Sequence, residues 1–340
     1  MCRSQVVAGE ERAKLSDPGL LLRRVLHHVA TETPLAQTTA QAHAADLVTV
    51  SPVARHKRMC TVGPWLAELT AARTASGTTF AAERGAGFRR FATDATTGTR
   101  PGACGTTARV HDRLDLATRT PQQVEVTDVH GGERLRRFAR AAGDLDLLDR
   151  ADCNPPDLAH ARAADAHVIA RDNRGTLPRF DARDRPLDLV PKVLRLGRPG
   201  RVRSWAARGH TATGPLAVRV CAVRLRAAAA RRAPAWLRRE KGGAVTAADL
   251  EWARFRVVIT TVPADRRTAE QVLDLFRLRW QAALQIQRDQ SIGGLDALPH
   301  VRDDTIASWL CGKLLAQALA RALVASAPVP PWSPGHARAA

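Results

Sequence analysis

The sequence predicts an α/β protein: a mixed-sheet core preceded by a helical domain and interrupted by a β-rich segment. Three observations support this prediction. Before residue 86, apolar residues recur at three- and four-residue steps, as along an amphipathic helix. After it, short apolar runs of strand length alternate with helical stretches, which is typical of a mixed sheet. The strongest strand pattern, FRVVITTVP (255–263), leads directly into a helical pattern.

The first domain, residues 1–85, is predicted to be helical. LLLRRVLHHVA (20–30) and GPWLAELTAARTA (63–75) place their apolar residues along one side of a helix and are separated by polar turns. No catalytic spacing occurs in this domain. A packed helical bundle is therefore the simplest interpretation, and contact with DNA or with a partner subunit is the alternative.

The α/β core is predicted to comprise residues 86–175 and 255–325. Its first part contains short apolar runs bounded by turn residues, which predict strands, and one short helix. In chain order these are the strands GFRRFATDATTG (87–98), RVHDRLDL (109–116) and QVEVTDV (123–129), the short helix GERLRRFAR (132–140), and the strands DLDLLDR (144–150) and AHVIARD (166–172).

The second part of the core is predicted to be mainly helical. TAEQVLDLFRLRWQAALQIQRDQ (268–290) is expected to form one helix, because Thr268 and Gln271 have the spacing of a capping box. DTIASWLCGKLLAQALARALVA (304–325) predicts a second helix. The Pro-rich tail, residues 326–340, is expected to be disordered.

The intervening segment, residues 176–254, is predicted to be a β-rich basic insertion. RVRSWAARG and LAVRVCAVRLR alternate apolar and basic residues as short strands do, and AAAARRAPAWLRREKGG has the composition of a basic linker. Arginines bind phosphates and tryptophans stack on bases, so the segment is a candidate DNA grip. The alternative places its tryptophans in a local core. The residues concerned are Arg201, Arg203, Trp205, Arg219, Arg224, Arg226, Arg231, Arg232 and Trp236.

Charge favours a nucleic-acid partner. The 340 residues include 52 Lys and Arg against 33 Asp and Glu, a formal net charge of +19, and only five of the cations are lysines. The planar guanidinium suits bidentate contacts with phosphate and guanine, so we expect a nucleic-acid partner. A general bias of the composition towards arginine is the alternative explanation.

Composition and spacing also exclude several classes of protein. Hydrophobic residues make up 45% of the chain, which is too many for an intrinsically disordered protein. The six cysteines form no C-x-x-C pair, so zinc fingers are excluded, and a cytoplasmic protein without disulfides is expected. The sequence shows neither a signal peptide nor an apolar run long enough for a membrane span.

A candidate site follows from the helix predicted after Thr268. Phe276, Arg279, Ala283 and Gln290 are separated by three, four and seven residues, so a continuous helix would place all four on one stripe. The alternative is that Phe276 and Ala283 simply form the buried face of that helix.

This stripe carries a resemblance to a known family. FRLRWQAALQIQRDQSIGGLDALP (276–299) resembles the C-terminal signature of bacterial insertion-sequence transposases of family four, Tyr-x2-Arg-x3-Glu-x6-Lys. Further family blocks occur in the same order, and the resemblance spans about residues 20–325. These blocks resemble RFATDATTG, RVHDRLDL, VTDVHGGERLRRF, GDLDLLDRADCNP and WLCGKLLAQAL.

The resemblance implies a ribonuclease-H-like core for cut-and-paste DNA transposition. In that family two Asp and one Glu bind Mg²⁺ or Mn²⁺ for phosphodiester cleavage and strand transfer. The two Asp correspond to Asp94 and Asp149, which are the expected metal ligands. The implied partner is double-stranded DNA at transposon ends, and a homodimer is one option for the oligomeric state. The expected DNA contacts are Arg150, Arg203, Trp205, Arg277 and Arg279.

The signature is degenerate, however. Ala283 stands at the Glu position, Gln290 at the Lys position and Phe276 at the Tyr position, and only Arg279 is unchanged. Asp112, Asp152 and Cys311 occupy further positions where the family commonly has Tyr, and Asp146 would leave an unpaired charge in an apolar strand. We therefore expect weakened metal binding and impaired catalysis. A non-catalytic DNA-binding derivative, a decayed product, and a carboxylate supplied by a distant loop remain alternatives.

Overall fold

The computed structural model describes residues 17–45, 50–76, 87–150, 152–173, 175–241, 245–296, 298–299 and 301–326. The tail predicted to be disordered lies, apart from its first residue, outside these residues. None of the described helices is long and apolar enough to cross a membrane. The described part before residue 86 is helical, as the sequence predicts. Its helices are α1 (Pro18–Thr31), α2 (Leu35–Ala44), α3 (Pro52–Met59) and α4 (Gly63–Ser76).

The described strands form one mixed sheet of eight strands in the order β3-β2-β1-β4-β5-β8-β7-β6. β1, β4 and β5 run parallel to one another, and the other neighbouring pairs are antiparallel. The mixed α/β architecture predicted from the sequence is therefore present. The strands are β1 (Arg89–Gly98), β2 (Ala108–Asp115), β3 (Thr120–Asp128), β4 (Asp144–Leu148), β5 (His167–Arg171), β6 (Val202–Thr211), β7 (Gly214–Arg224) and β8 (Phe255–Thr260).

The predicted β-rich insertion extends the core sheet. β6 and β7 pair along their lengths from Val202↔Val223 to Thr211↔Gly214, and β7 pairs in turn with β8. β6 therefore forms one edge of the sheet. The segment expected to be a basic linker is largely helical, because its alanines and arginines are good helix formers, although Pro234 lies within that helix. The helices of this region are α6 (Val190–Leu194), α7 (Ala227–Lys241) and α8 (Ala247–Trp252), which follow α5 (Pro155–Ala163).

Alternation along β4 supplies the core on both faces of the sheet. Leu148 packs on one face with α5, and Leu145 and Leu147 pack on the other with the helix after β8. Successive strand residues point to opposite faces, so β4 is buried on both sides, with Asp144 and Asp146 on the same face as Leu148. A third core lies between the N-terminal helices and α11 (Asp303–Ser326), where Val29, Leu66 and Trp309 meet.

The prediction of one continuous helix over 268–290 is wrong. The capping box at Thr268 and Gln271 is present, but the segment forms two helices, α9 (Ala269–Arg277) and α10 (Trp280–Ser291). At the break, the amides of Leu278 and Arg279 bond to carbonyls only three residues back, which tightens the turn and ends the α-helical pattern. The short helix predicted over 132–140 is also reduced, to a single 3₁₀ turn at Leu135–Arg137.

The charge in β4 is paired, contrary to the expectation for Asp146. Asp146 is fully buried and accepts hydrogen bonds from Arg113 Nε at 2.9 Å and from Arg140 Nε at 3.1 Å. Arg113 also donates to Asp144 at 2.9 Å. Arg113 comes from β2 and Arg140 from the segment just before β4, and only the fold shows that both reach Asp146. A buried carboxylate with two guanidinium partners avoids the large cost of an isolated buried charge.

Candidate functional site

The sheet brings Asp94 and Asp149 side by side. β1 and β4 are parallel with Ala92 opposite Leu147. Asp94 follows Ala92 by two residues within β1, and Asp149 follows Leu147 by two residues, just after β4 ends. Both carboxylates therefore lie where β4 ends, and the negative charge of Asp149 helps to raise the pKa of Asp94. The two residues assigned as metal ligands from the sequence are thus neighbours, although they are distant in sequence.

Asp94 is held by one backbone and one side-chain contact. Its Oδ1 accepts a hydrogen bond from the amide of Ala95 at 3.0 Å, and Oδ2 lies 3.5 Å from Arg279 Nη1. Burial raises the pKa of Asp94, and these two contacts oppose the rise only in part. Arg279, the one unchanged residue of the signature, therefore touches the first expected ligand.

Helix α10 lies against β1 and carries the other two signature positions. Gln290 donates a hydrogen bond to the hydroxyl of Thr96 on β1. Ala283, one turn after Arg279, is exposed and presents only a methyl group. Among the described residues no three His, Cys, Asp or Glu side chains already stand where they could hold a metal ion. The family's complete set of three carboxylates does not fit this chain.

Phe276 is separated from the other three signature positions. It lies on α9, is 4% exposed and packs in the core with Ala92 and Val272. The guanidinium of Arg256 lies 5.9 Å from the centre of its ring. The expected stripe of four residues is not formed, because the break after α9 changes the direction in which side chains point. For Phe276 the alternative of a buried core residue describes the structure.

The expected DNA contacts fall in several environments. Arg277 is exposed and lies 3.6 Å from Asp274, and Arg203 is exposed on the edge strand β6. Trp205, on the same strand, is partly buried against the core. Arg150 is partly buried, and its Nε has no hydrogen-bond partner.

Helix α7 carries a basic surface. Its exposed arginines flank Trp236, which is 47% exposed, and Arg171 lies 5.8 Å from the centre of the Trp236 ring. An exposed aromatic ring among guanidinium groups is suited to contact with nucleic acid. The exposed arginines of this helix are Arg231, Arg232, Arg238 and Arg239.

Two carboxylates near Asp94 were missed as site residues. Glu133 and Asp152 line one cleft with Asp94 and Thr93. Burial, together with the charges of Asp157, Glu133 and other carboxylates, raises the pKa of Asp152 to about 7. In the sequence Asp152 stands out only as a substitution, and Glu133 was not predicted to belong to the site. The available signal was that both residues lie inside blocks that match the family.

A further buried carboxylate, that of Asp112, lies on the strand next to Asp94. It is the direct cross-strand partner of Asp94 on β2 and is 6% exposed. Burial and then the charge of Asp289 raise the pKa of Asp112 well above its ordinary value. Asp289 in turn accepts hydrogen bonds from Gln285 and Arg321, both at 2.8 Å. Asp112 therefore belongs to a buried network between the sheet, α10 and α11.

Sequence comparisons identify close relatives along nearly the whole chain, although no family model matches it. The chain is 31% identical over 333 residues to the putative transposase InsL for insertion sequence element IS186A of Escherichia coli strain K12, covering 95% of this chain and 90% of the relative. It is 30% identical over 334 residues to the transposase for insertion sequence element IS421 of Escherichia coli, with the same coverage.

Among solved structures, a piggyBac transposase synaptic complex with hairpin DNA is similar at 7% sequence identity. The match covers 69% of this chain and 48% of that chain, with a TM-score of 0.37.

Proposed function

Since this chain belongs to the bacterial insertion-sequence transposases, we propose that it acts in cut-and-paste DNA transposition with impaired phosphodiester cleavage. The observation that carries the proposal is the neighbouring pair Asp94 and Asp149 with Ala283 at the third carboxylate position. In this class of reaction Mg²⁺ or Mn²⁺ would supply an activated oxygen nucleophile and stabilise the leaving oxygen. Two close divalent ions need several carboxylates to offset their repulsion. Weakened metal binding and slow cleavage follow.

The proposal extends to the finer family assignment and to the core fold. A ribonuclease-H-like core is supported by the strand order β3-β2-β1-β4-β5, in which β2 is antiparallel to β1 while β4 and β5 are parallel to it. Membership of family four is supported by Arg279 at its signature position, in contact with Asp94. The division into a helical domain (1–85), a core (86–175 and 255–325) and an insertion (176–254) belongs to the same proposal.

Double-stranded DNA at transposon ends is the proposed partner. The support is the formal charge of +19 together with exposed arginines on β6 and α7. Phosphate contacts from such residues position a duplex without reading its sequence. Arg150, Arg277 and Arg279 would extend this contact to the carboxylates.

A second candidate function is DNA binding without cleavage. One observation favours it: among the described residues no three His, Cys, Asp or Glu side chains stand where they could hold a metal ion, and Ala283 presents only a methyl group. Such a chain would occupy transposon ends, and the exposed arginines would serve that role with no metal at all.

A plasmid nicking and excision assay tests both candidates. The unaltered chain is compared with the double variant Ala283→Glu, Gln290→Lys in Mg²⁺ or Mn²⁺, using DNA that flanks the reading frame. The matched control is Ala283→Gln, Gln290→Lys, which has the same size but no added carboxylate. We expect cleavage by the Glu variant to exceed that of the other two by at least about 100-fold, because metal ligation depends steeply on its donor set.

Each outcome decides between the candidates. Efficient cleavage by the unaltered chain would contradict the impairment. Cleavage only by the Glu variant would support the impaired transposase. DNA binding by all three chains with no cleavage by any would favour the non-catalytic candidate.

A further inference from the structure

We propose that Glu133 and Asp152 form, together with Asp94 and Asp149, a divalent-cation site that does not use the Ala283 position. The inference rests on the proposed function, because it concerns the same carboxylate pair and the same class of cation. It adds two ligands that neither the signature nor the relatives' names assign.

Chain topology brings the four carboxylates together from three segments. Asp94 lies on β1, Glu133 follows β3, and Asp149 and Asp152 follow β4. Asp94, Glu133 and Asp152 line one cleft, and the strand register places Asp149 beside Asp94. The four carboxylates therefore lie around the end of β4, next to β1.

Buried oxygens without partners indicate that this cleft is made for a ligand. Asp152 is 4% exposed and its Oδ1 has no hydrogen-bond partner. Thr93, an uncharged residue that lines the same cleft, is 7% exposed, and its hydroxyl oxygen is also without a partner. Oδ1 of Asp149, a half-buried residue beside Asp94, also has no hydrogen-bond partner. Buried polar atoms are seldom left unpaired, so these oxygens are suited to bind a hard cation or its bound water.

Neighbouring basic side chains do not occupy the two new carboxylates. Arg134 and Arg137 both line the cleft; Arg134 is exposed, and Arg137 pairs with Glu125 at 2.9 Å and donates to the carbonyl of Gly132 at 2.8 Å. His111, also in the cleft, bonds to Thr127 at 2.9 Å. Within the described part of the chain no ion pair joins Glu133 or Asp152 to a basic residue, and Arg109 acts on Glu133 only through its charge.

Mutual repulsion supports the same conclusion. Asp94, Glu133 and Asp152 line the same cleft and Asp149 lies beside Asp94, so four carboxylates lie close enough to repel one another. A divalent cation is attracted to all four groups and removes this repulsion. The described side chains do not stand in a ligating arrangement, so the proposed site requires carboxylates to move towards the cation when it binds.

Titration with Mn²⁺, followed by electron paramagnetic resonance of the free ion, tests the site on the whole chain without DNA. The unaltered chain is compared with Glu133→Gln and Asp152→Asn. The control is Glu251→Gln, which removes an exposed carboxylate from α8. We expect the unaltered chain and the control to bind Mn²⁺ equally, and each site variant to bind at least about 10-fold more weakly. Added Mg²⁺ should displace the bound Mn²⁺.

Binding that is equally strong in both site variants would overturn the proposal, since Asp94 and Asp149 alone would then explain it. Absence of binding to the unaltered chain would overturn it as well. Circular dichroism confirms that each variant is folded, and Glu133→Gln decides the matter if the buried Asp152→Asn variant is not. Because this titration involves no DNA cleavage, its result is independent of the nicking assay. The titration can contradict the cation site while the nicking assay supports the proposed function, and it can support the cation site while the nicking assay contradicts that function.

Discussion

Arg113, on β2, reaches across β1, the strand that carries Asp94, and contacts β4. Its guanidinium stands 3.7 Å from the centre of the Phe91 ring on β1, and it reaches Asp144 and Asp146 on β4. β1 and β4 are thereby held in their register from the face opposite α10. That register is what keeps Asp94 and Asp149 side by side, so a residue that touches neither carboxylate helps to position both.

His111, on the same strand, predicts a pH-dependent stability. It is 2% exposed, and burial, with help from Arg137 and Arg109, lowers the pKa of its imidazole to about 4. Unfolded histidine titrates near pH 6.5, so between about pH 6.5 and 4 the unfolded chain binds a proton that the folded chain does not. The free energy of unfolding should therefore fall by about 2–3 kcal/mol on acidification through this range.

Urea denaturation at pH 7 and pH 4.5 measures this contribution. His111→Gln, which keeps a polar group near Thr127, should lose less stability between the two pH values than the unaltered chain does. His130→Gln removes an exposed histidine and is the control. An unchanged pH dependence in His111→Gln would show that this imidazole is not the group responsible.

At the scale of elements, the break between α9 and α10 determines what the signature region can do. α9 packs Val272, Leu273 and Phe276 into the core, whereas α10 begins at Trp280, which is 51% exposed. A straight helix could not satisfy both, because 3.6 residues per turn would continue the buried stripe of α9 into α10. The tighter turn lets Arg279 reach Asp94 while Phe276 stays buried.

The start of α9 offers a direct test of this element. Thr268 Oγ1 accepts from the amide of Gln271 at 3.3 Å, and Gln271 Oε1 accepts from the amide of Thr268 at 2.9 Å. Thr268→Ala should lower the free energy of unfolding by about 1 kcal/mol, because the amide of Gln271 loses the side-chain oxygen that accepts its hydrogen bond. Thr268→Ser keeps the hydroxyl and should remain close to the unaltered chain in thermal denaturation. Equal losses in both variants would mean that the hydroxyl of Thr268 is not the group responsible for the loss.

For the whole molecule, the distribution of arginine predicts strongly salt-dependent DNA binding. The formal charge is +19, and the basic helix α7 is connected to the long hairpin of β6 and β7. Each phosphate neutralised on duplex DNA releases counterions, so the logarithm of affinity should fall with the logarithm of salt concentration by about 0.9 per contact.

Fluorescence anisotropy with a labelled duplex at several salt concentrations gives this slope. Arg238→Gln with Arg239→Gln should reduce its magnitude by about 2 if both arginines contact phosphate. Arg23→Gln with Arg58→Gln removes two exposed arginines from the N-terminal helices and is the charge-matched control. Identical slopes for the two double variants would place the DNA away from α7.

The sequence by itself determined the strands on either side of Asp94 and Asp149 and the cap of α9, whereas it predicted a linker where α7 lies. The assignment of Asp94 and Asp149 as a ligand pair stays a prediction. The strands around Asp94 and Asp149 were predictable because alternation and apolar runs are local signals, and the Thr268 cap because its spacing is short. The absence of a carboxylate at position 283 is likewise a fact of the sequence.

Only the tertiary structure decided which side chains meet. The pairing of Asp146 with Arg113 and Arg140, the break before Trp280, and the approach of Glu133 and Asp152 to Asp94 all involve residues brought together by sheet register and packing. The physical reason is that burial and charge act through space. The free energy of burying a carboxylate, its pKa and its ability to bind a cation all depend on the groups around it. The separation of those groups along the chain does not predict how close they lie in the fold.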